Sequence, residues 1–288
     1  MIDQLFEKFD GAFAQNTLRA YKADFNHFSD WCKKNKVKLK KSTGEEWKYY
    51  IEYCASYLST ATVRRRINSL GTVHRLASLP EQTRHPEVIL ALKRMHRQKG
   101  RAQKQAVPLT KDILKQLLAV CGDDLRGQRN RVLLTLGYET MRRRSELCAF
   151  RFENIQTLPN GKKAILMERS KTDQYGNGKI IPITEDLYQL LSDWGEYSGG
   201  KGPIIRGINR HGVPKTNAMC PANVSLILKK LQAKAKLRCE ELLSGHSFRV
   251  GRALDLLIEG EPLEKIMLRG GWQMESTAMK YLRAWQEI

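Results

Sequence analysis

Residues 97–108, Arg-Gln-Lys-Gly-Arg-Ala-Gln-Lys-Gln-Ala-Val-Pro, offer no periodic apolar face to a core and carry Arg97, Lys99, Arg101 and Lys104. Such a stretch cannot run through a globule, because its charges would lose water without gaining partners. The chain, 288 residues long, must therefore build a core on each side of it, and it is long enough to do so. The boundary is expected near residue 105, with a helical unit over 1–105 and a second unit over 106–288.

Charge says what the two units face. Lys plus Arg number 50 against 30 for Asp plus Glu, a net of +20. Residues 1–108 hold 21 basic and 10 acidic side chains, which leaves 29 and 20 for the remainder. Both units are thus basic, the footprint of a polyanion gripped by two domains, and 97–108 reads as a linker laid over it through Arg101 and Lys104. No run reaches the roughly eighteen apolar residues of a membrane span, and Met1-Ile2-Asp3-Gln4-Leu5 does not look like a secretion signal. Cys32, Cys54, Cys121, Cys148, Cys220 and Cys239 lack paired spacing, so reduced thiols in a cytoplasmic protein are expected rather than disulfides or a metal site.

Periodicity makes the first unit helical. Asn16-Thr17 offers an N-cap to a helix reaching about Lys34, with Leu18, Tyr21, Phe25, Phe28 and Trp31 at helical steps. Ser42-Thr43-Gly44-Glu45 resembles a capping box before Trp47, Tyr50, Ile51 and Cys54. Ser59-Thr60 opens a third helix, stopped by Leu79-Pro80, and Pro86 a fourth. In the second unit, helices are expected from Thr110, over Arg131–Glu139, Glu185–Trp194 and Asn223–Lys236. Ala164–Met167 and Ile180–Ile183 flank the turn-forming Tyr175-Gly176-Asn177-Gly178 and predict a β-hairpin, and Ile204-Ile205 a further short strand. The expected class is mainly α with a small antiparallel β-sheet in the second domain.

The last forty-odd residues carry the chemistry. His246 and Arg249 stand three apart, one helical turn, so both can address one point. Gly270-Gly271-Trp272 follows, and Tyr281 comes nine residues after the Trp. Upstream lie Arg142-Arg143-Arg144-Ser145-Glu146 and, by the predicted hairpin, Lys171. Cutting a phosphodiester requires charge-matched donors for the nonbridging oxygens, a nucleophile, and an acid for the leaving alkoxide. Arginine forks, a tyrosine and a lysine are the residue types that meet those needs. No carboxylate cluster of metal-binding type and no phosphate-cradling glycine loop competes, so no metal or cofactor is expected.

In order and spacing, this set resembles the tyrosine recombinase (phage integrase) family, closest to the Cre recombinase type within it. The family's Arg-x-x-acidic register selects Arg143 over Arg142 and Arg144, its hairpin lysine falls at Lys171, its His-x-x-Arg box at His246 and Arg249, its His-or-Trp position at Trp272 and its nucleophile at Tyr281. The resemblance reaches the first unit, where Thr17 and Arg19 and the run Arg64, Arg65 and Arg66 look like the helices that enter DNA grooves. It implies a helical core-binding domain followed by a catalytic domain. Tyr281 would attack the scissile phosphate to give a 3′-phosphotyrosyl link, Arg143 and Arg249 would bind its nonbridging oxygens, and His246 and Trp272 would orient it. Lys171 would protonate the 5′-oxygen, and Glu146 would support Arg143 or His246. The implied partners are double-stranded DNA with inverted-repeat half-sites and further copies of the chain, a dimer per site and a tetramer in synapsis, in a bacterial, phage or plasmid setting. A type IB topoisomerase would carry a similar set, with the Cre-like first unit against it; an accessory DNA-binding protein of the same fold that has lost catalysis is the other alternative, with the intact Tyr281, Arg143, Arg249 and Lys171 against it. Only Leu282 to Ile288 follow Tyr281, shorter than the Cre type, which puts assembly through a further C-terminal helix in doubt.

Overall fold

A computed structural model of the chain describes residues 6–102, 104–168, 178–238 and 241–282. The chain divides into two compact units, Met1–Lys104 and Gln105–Ile288.

Among its described residues the first unit packs the helices α1 (Gln15–Lys34), α2 (Gly44–Tyr57), α3 (Thr60–Leu76) and α4 (Pro86–Lys99). The pairs α1 with α3 and α2 with α4 carry the main packing. Their starts follow local chemistry. The Thr43 hydroxyl accepts the Glu46 N–H, while the Glu46 carboxylate accepts the Thr43 N–H at 2.7 Å, a reciprocal capping box. Ser59 caps α3 and Pro86 occupies the first turn of α4. By contrast, α1 starts one residue before the expected Asn16-Thr17 cap, after Ala14 and without a side-chain cap, so Asn16 and Thr17 lie in its first turn. Helix α4 persists through Lys99 into what reads as linker, and Gly100 ends it at φ 73°. Neutral helix formers beside Arg97 and Lys99 keep one face polar, which the apolar pattern alone could not register.

Phe28, Trp47, Tyr50, Ile51, Val63 and Leu70 are wholly buried at the centre of this unit, each contributing about 2–3 kcal/mol of apolar transfer. Two of its buried side chains are tied in through hydrogen bonds. Trp47 Nε1 donates to Ser42 Oγ at 3.1 Å, and the fully buried His74 bonds Pro80 O through Nδ1 at 2.7 Å among Phe25, Phe28 and Trp47.

The second unit holds α5 (Lys111–Ala119), α6 (Leu125–Thr140), α7 (Arg144–Ala149), strands β1 (Ile155–Thr157), β2 (Lys163–Met167) and β3 (Lys179–Pro182), then α8 (Glu185–Ser198), β4 (Arg206–Ile208), β5 (Pro214–Ala218), α9 (Ala222–Lys234), α10 (Ser247–Ile258), α11 (Leu263–Gly270) and α12 (Glu275–Leu282). The two expected strands pair: β2 runs antiparallel to β3, Ile165 opposite Ile181 and Met167 opposite Lys179, and the expected turn at Tyr175-Gly176-Asn177 lies outside the described residues. Two features depart from expectation. Strand β1 adds a third member to the sheet opposite β2, and the short strand starts at Arg206, after Ile204-Ile205, to pair with β5. These strands are three to five residues long and take their stability from the ladder rather than from their own composition. Helix α6 also begins six residues before the expected Arg131, because Asp124 caps it by accepting the Gly127 N–H at 2.8 Å.

One core in this unit gathers Leu133, Leu134, Leu136, Phe150, Ile165, Trp194 and Phe248. A smaller one, Met141, Val250, Ala253, Leu254, Ile266, Trp272, Ala278 and Leu282, underlies the C-terminal helices. Ala106 packs against the smaller core and Val107 against the larger, so the end of the apparent linker already belongs to this unit. Gly251 lets α10 ride directly on the Leu109 backbone: a Cβ there would fall 1.9 Å from the Leu109 carbonyl oxygen.

Candidate active site

The smaller core is the floor of the site, and three chain segments deliver side chains onto it. The first is the junction between α6 and α7. Helix α6 ends on Met141 at φ 54°, a left-handed cap usually left to glycine, and this sharp exit turns the chain into Arg142 and Arg143. Arg143 then sits at the N-cap of α7. Glu146, 5% exposed, accepts the Arg143 backbone N–H at 3.0 Å and its Nη1 at 2.8 Å, which fixes the arginine from both ends. Burial raises the Glu146 carboxyl, but those Arg143 hydrogen bonds and the Arg142 charge outweigh it and hold the group below the usual carboxylate range.

The second segment is the start of α10. His246 occupies the N-cap position and is exposed, its N–H donating to Ser244 Oγ at 3.3 Å. One turn in, Arg249 has no exposed surface. Its Nη1 donates to Met141 O at 2.7 Å, which ties α10 to the left-handed cap of α6. Its Nε and Nη2 are buried and make no hydrogen bond among the described residues. Burial and the nearby Arg143 lower the Arg249 pKa, while Tyr281 and Glu146 act against that shift.

The third segment runs from α11 to α12. Gly271, at φ 67°, closes α11, with its N–H bonded to Leu268 O and the Trp272 N–H to Met267 O. The turn buries the Trp272 indole, whose Nε1 is a third donor without a partner. Tyr281, half-buried on α12, stacks on it at 4.8 Å between ring centroids, with the rings inclined at 33°. The Arg249 guanidinium lies 4.9 Å from the Trp272 ring centre and 5.5 Å from that of Tyr281. Gln105 Nε2 donates to Tyr281 O at 2.8 Å and anchors the helix end.

Arg143, Glu146, Arg249, Trp272 and Tyr281 therefore share one site, with His246 at the mouth of the helix that carries Arg249. Lys171 lies outside the described residues. Two neighbours gained nothing from the sequence pattern. Arg142 is 2% exposed and Lys179 is half-buried, and both belong to the same electropositive cluster. Three consecutive arginines carry no mark of which is buried, and a strand-end lysine looks like any surface lysine. Among the described residues, no group of three or more His, Cys, Asp or Glu side chains is placed to hold a metal ion, and no helix is long and apolar enough to cross a membrane. Cys32, Cys54, Cys121, Cys148 and Cys220 are free thiols.

In the first unit, Arg64, Arg65 and Arg101 line a concavity of about 410 Å³ together with Tyr21, Thr60 and His96. Burial, then Arg101 and Arg64, lower the His96 pKa, so the depression is already rich in positive charge. Arg65 also pairs with the buried Asp24. Arg66 takes another direction: it is largely buried, with Nε 3.5 Å from Asp24 and Nη1 3.8 Å from Cys54 Sγ, and it does not line the concavity. Arg19 is exposed on α1 beside Lys22, Thr17 is half-buried there, and Lys104 is exposed.

Residues 108–287 match the phage integrase family. An integrase/recombinase XerD homolog of Selenomonas ruminantium is 32% identical over 251 residues, spanning 83% of this chain and 73% of that protein. The recombinase Cre of Escherichia phage P1 is 25% identical over 291 residues, spanning 94% and 85%. In fold, the chain resembles a lambda integrase dimer bound to a core site, with a TM-score of 0.67 at 16% identity over 97% of this chain and 93% of that one. With its helical first unit, its small antiparallel sheets and these matches, the chain belongs to the phage integrase family, the tyrosine recombinases.

Proposed function

We propose that this chain is a site-specific DNA recombinase that cuts and rejoins duplex DNA through a covalent link to Tyr281. One observation carries the reading. Three buried N–H donors, Nε and Nη2 of Arg249 and Nε1 of Trp272, lack an acceptor beside the half-buried Tyr281 ring. An unmet buried donor costs about 1–3 kcal/mol, so a fold that keeps three together is complementary to something that supplies acceptors. A phosphodiester does so with its nonbridging oxygens, and it brings the negative charge that the arginines lack.

The chemistry follows from the placement. Arg249 and Arg143 hold the nonbridging oxygens, where their charge-assisted bonds strengthen as charge develops in the transition state. Trp272 Nε1 donates to the same phosphate and its ring braces Tyr281. The Tyr281 oxygen bonds to phosphorus as the bond to the 5′-oxygen breaks, and the phenol proton passes to solvent water. The departing 5′-oxygen takes a proton from Lys171, whose role rests on the family register alone. His246 hydrogen-bonds the phosphate or the nucleophile, and Glu146 keeps Arg143 aimed. A 5′-hydroxyl from a partner strand then attacks the phosphotyrosine and restores the tyrosine, so the bond energy is conserved. In the first unit, Arg64, Arg65 and Arg101 hold backbone phosphates, which position the DNA without reading its sequence, and Arg19, Thr17 and Lys104 extend that track. Structures of lambda integrase as a dimer on a core site and as a tetramer on a Holliday junction motivate the assembly proposed here: a dimer on inverted half-sites and a tetramer in synapsis.

The test uses a duplex selected from randomised DNA by binding to the full chain, then nicked just 3′ of the cleaved phosphate. The nick lets the 5′-hydroxyl fragment diffuse away and traps the covalent species. A protein–DNA band on a denaturing gel for the native chain, absent in Tyr281→Phe, is expected. A partner duplex should then convert that band to recombinant product. Binding without any band would overturn the catalytic reading, and a chain that forms the band and relaxes supercoiled plasmid but yields no recombinant product would favour a topoisomerase.

A further inference from the structure

Arg142 and Lys179 come from different elements to one place, the last turn of α11. Arg142 donates through Nε to Thr140 O at 2.6 Å and through Nη2 to the Arg269 carbonyl. Lys179, opening β3, donates through Nζ to Leu268 O at 2.5 Å. The final carbonyls of a helix lack intrahelical partners and form the negative end of its dipole, so cations are favoured there. Yet α11 already closes through Gly271 and the Trp272 N–H, which is a sufficient cap for most helices. The two cations crowd the same turn: a Cβ on Gly271 would lie 3.1 Å from Arg142 Nη1 and 3.7 Å from Lys179 Nζ.

They are held there against their own charge. Burial and the neighbouring Arg249 push Arg142 down to about 10, and burial, Arg142 and Arg249 lower Lys179. Their described hydrogen bonds are to backbone carbonyls and not to carboxylates. Capping alone does not account for two desolvated cations on a helix that is capped already. What the turn carries does. Gly270 packs so tightly on Trp272 that a Cβ would sit 2.3 Å from the indole, and the indole in turn supports the Tyr281 ring. Any slack at Leu268 or Arg269 passes to the nucleophile.

We propose that Arg142 and Lys179 are positioning residues which clamp the end of α11 from two sides, and so fix Trp272 and Tyr281 for attack on the phosphate. The inference rests on the strand-cleavage reading above. Because both clamp one turn, losing either loosens the same part, and the two losses should not add.

The full-length chain tests this with Arg142→Met, Lys179→Met, the double variant, and the conservative Lys179→Arg. Three quantities are read: single-turnover adduct formation on the nicked duplex, DNA affinity, and amide exchange over residues 267–272 in the free protein. We expect adduct formation slower by about 10²-fold, the usual effect of an ångström-scale misplacement. Affinity should be unchanged, and the Trp272 amide, bonded to Met267 O, should exchange at least about tenfold faster with that bond loosened. Lys179→Arg should restore most of the rate, and the double variant should be no slower than the worse single. Unchanged rate and exchange in Lys179→Met would overturn the proposal, as would losses that multiply or that fall on affinity instead. Should Arg142→Met not fold, the half-buried Lys179 variants decide the matter by themselves. If the native chain forms no adduct, the cleavage reading fails while the exchange arm still judges the clamp.

Discussion

The two units treat buried positive charge in opposite ways. In the first, Arg65 and Arg66 converge on Asp24, a carboxylate only 2% exposed, so the cations meet an anion inside the fold. In the second, Arg142, Arg143, Arg249 and Lys179 lie near one another; Glu146 ion-pairs with Arg143 at 2.8 Å, while the others donate to carbonyls of Thr140, Arg269, Met141 and Leu268. A carbonyl satisfies a hydrogen bond but does not neutralise a charge. The first arrangement therefore gives its buried arginine, Arg66, an anion inside the fold, while Arg65 pairs with the same carboxylate from the exposed rim of the concavity. The second holds more cations than its described carboxylate can neutralise.

The sharpest way to break this contrast is Arg249→Met. Under it, phosphotyrosine formation should fall about 10²–10³-fold, the scale of losing one transition-state donor. Thermal stability should nevertheless rise, by about 1 kcal/mol, because an uncompensated buried cation has been replaced by an apolar side chain of similar size. A fall in both activity and melting temperature would mean that the charge is compensated after all. Asp24→Asn asks the reverse question. It should cost about 3 kcal/mol in urea unfolding, since Arg66 would be left buried without its anion, and leave cleavage per folded molecule unchanged. Arg64→Ala with Arg101→Ala should weaken DNA binding uniformly across sequences and reduce the salt slope by about two. For the native chain, six to ten phosphate contacts would lower affinity by roughly three to five decades between about 50 and 200 mM salt.

The smallest expected effects are in pH. Burial pushes His74 below the usual imidazole value of 6.5, so the unfolded chain binds a proton that the fold refuses. Its contribution is complete above about pH 6.5 and is lost as pH falls below, by at most about 1.4 kcal/mol per pH unit. Glu146 is depressed, so its share is present above the ordinary carboxylate pKa and fades as pH drops through the folded value. Unfolding curves between pH 8 and 4 for the native chain, His74→Asn and Glu146→Gln separate the two windows.

Much of the architecture was legible because it is local. The Thr43–Glu46 box, Pro86, the strands β2 and β3 and the apolar steps of α1 and α3 are written in spacing and capping chemistry, which the backbone obeys wherever the segment ends up. The spacing of His246 and Arg249 was legible for the same reason, one helical turn, whereas Arg143, Trp272 and Tyr281 were picked out through the family resemblance. Strand β1 and the β4–β5 pair were not, because strands so short exist only through their partners.

Within the triplet Arg142, Arg143 and Arg144, three identical side chains meet three fates, buried clamp, ion-paired site residue and exposed helix start. Arg66 likewise turns toward Asp24 and Cys54 while its neighbour Arg64 faces the concavity. Sequence by itself determined which groups this protein could bring to a phosphate, since residue type and helical phase are properties of the chain. Only the tertiary structure decided which of them keep an unanswered charge, because desolvation and pairing depend on what the rest of the fold packs against each one.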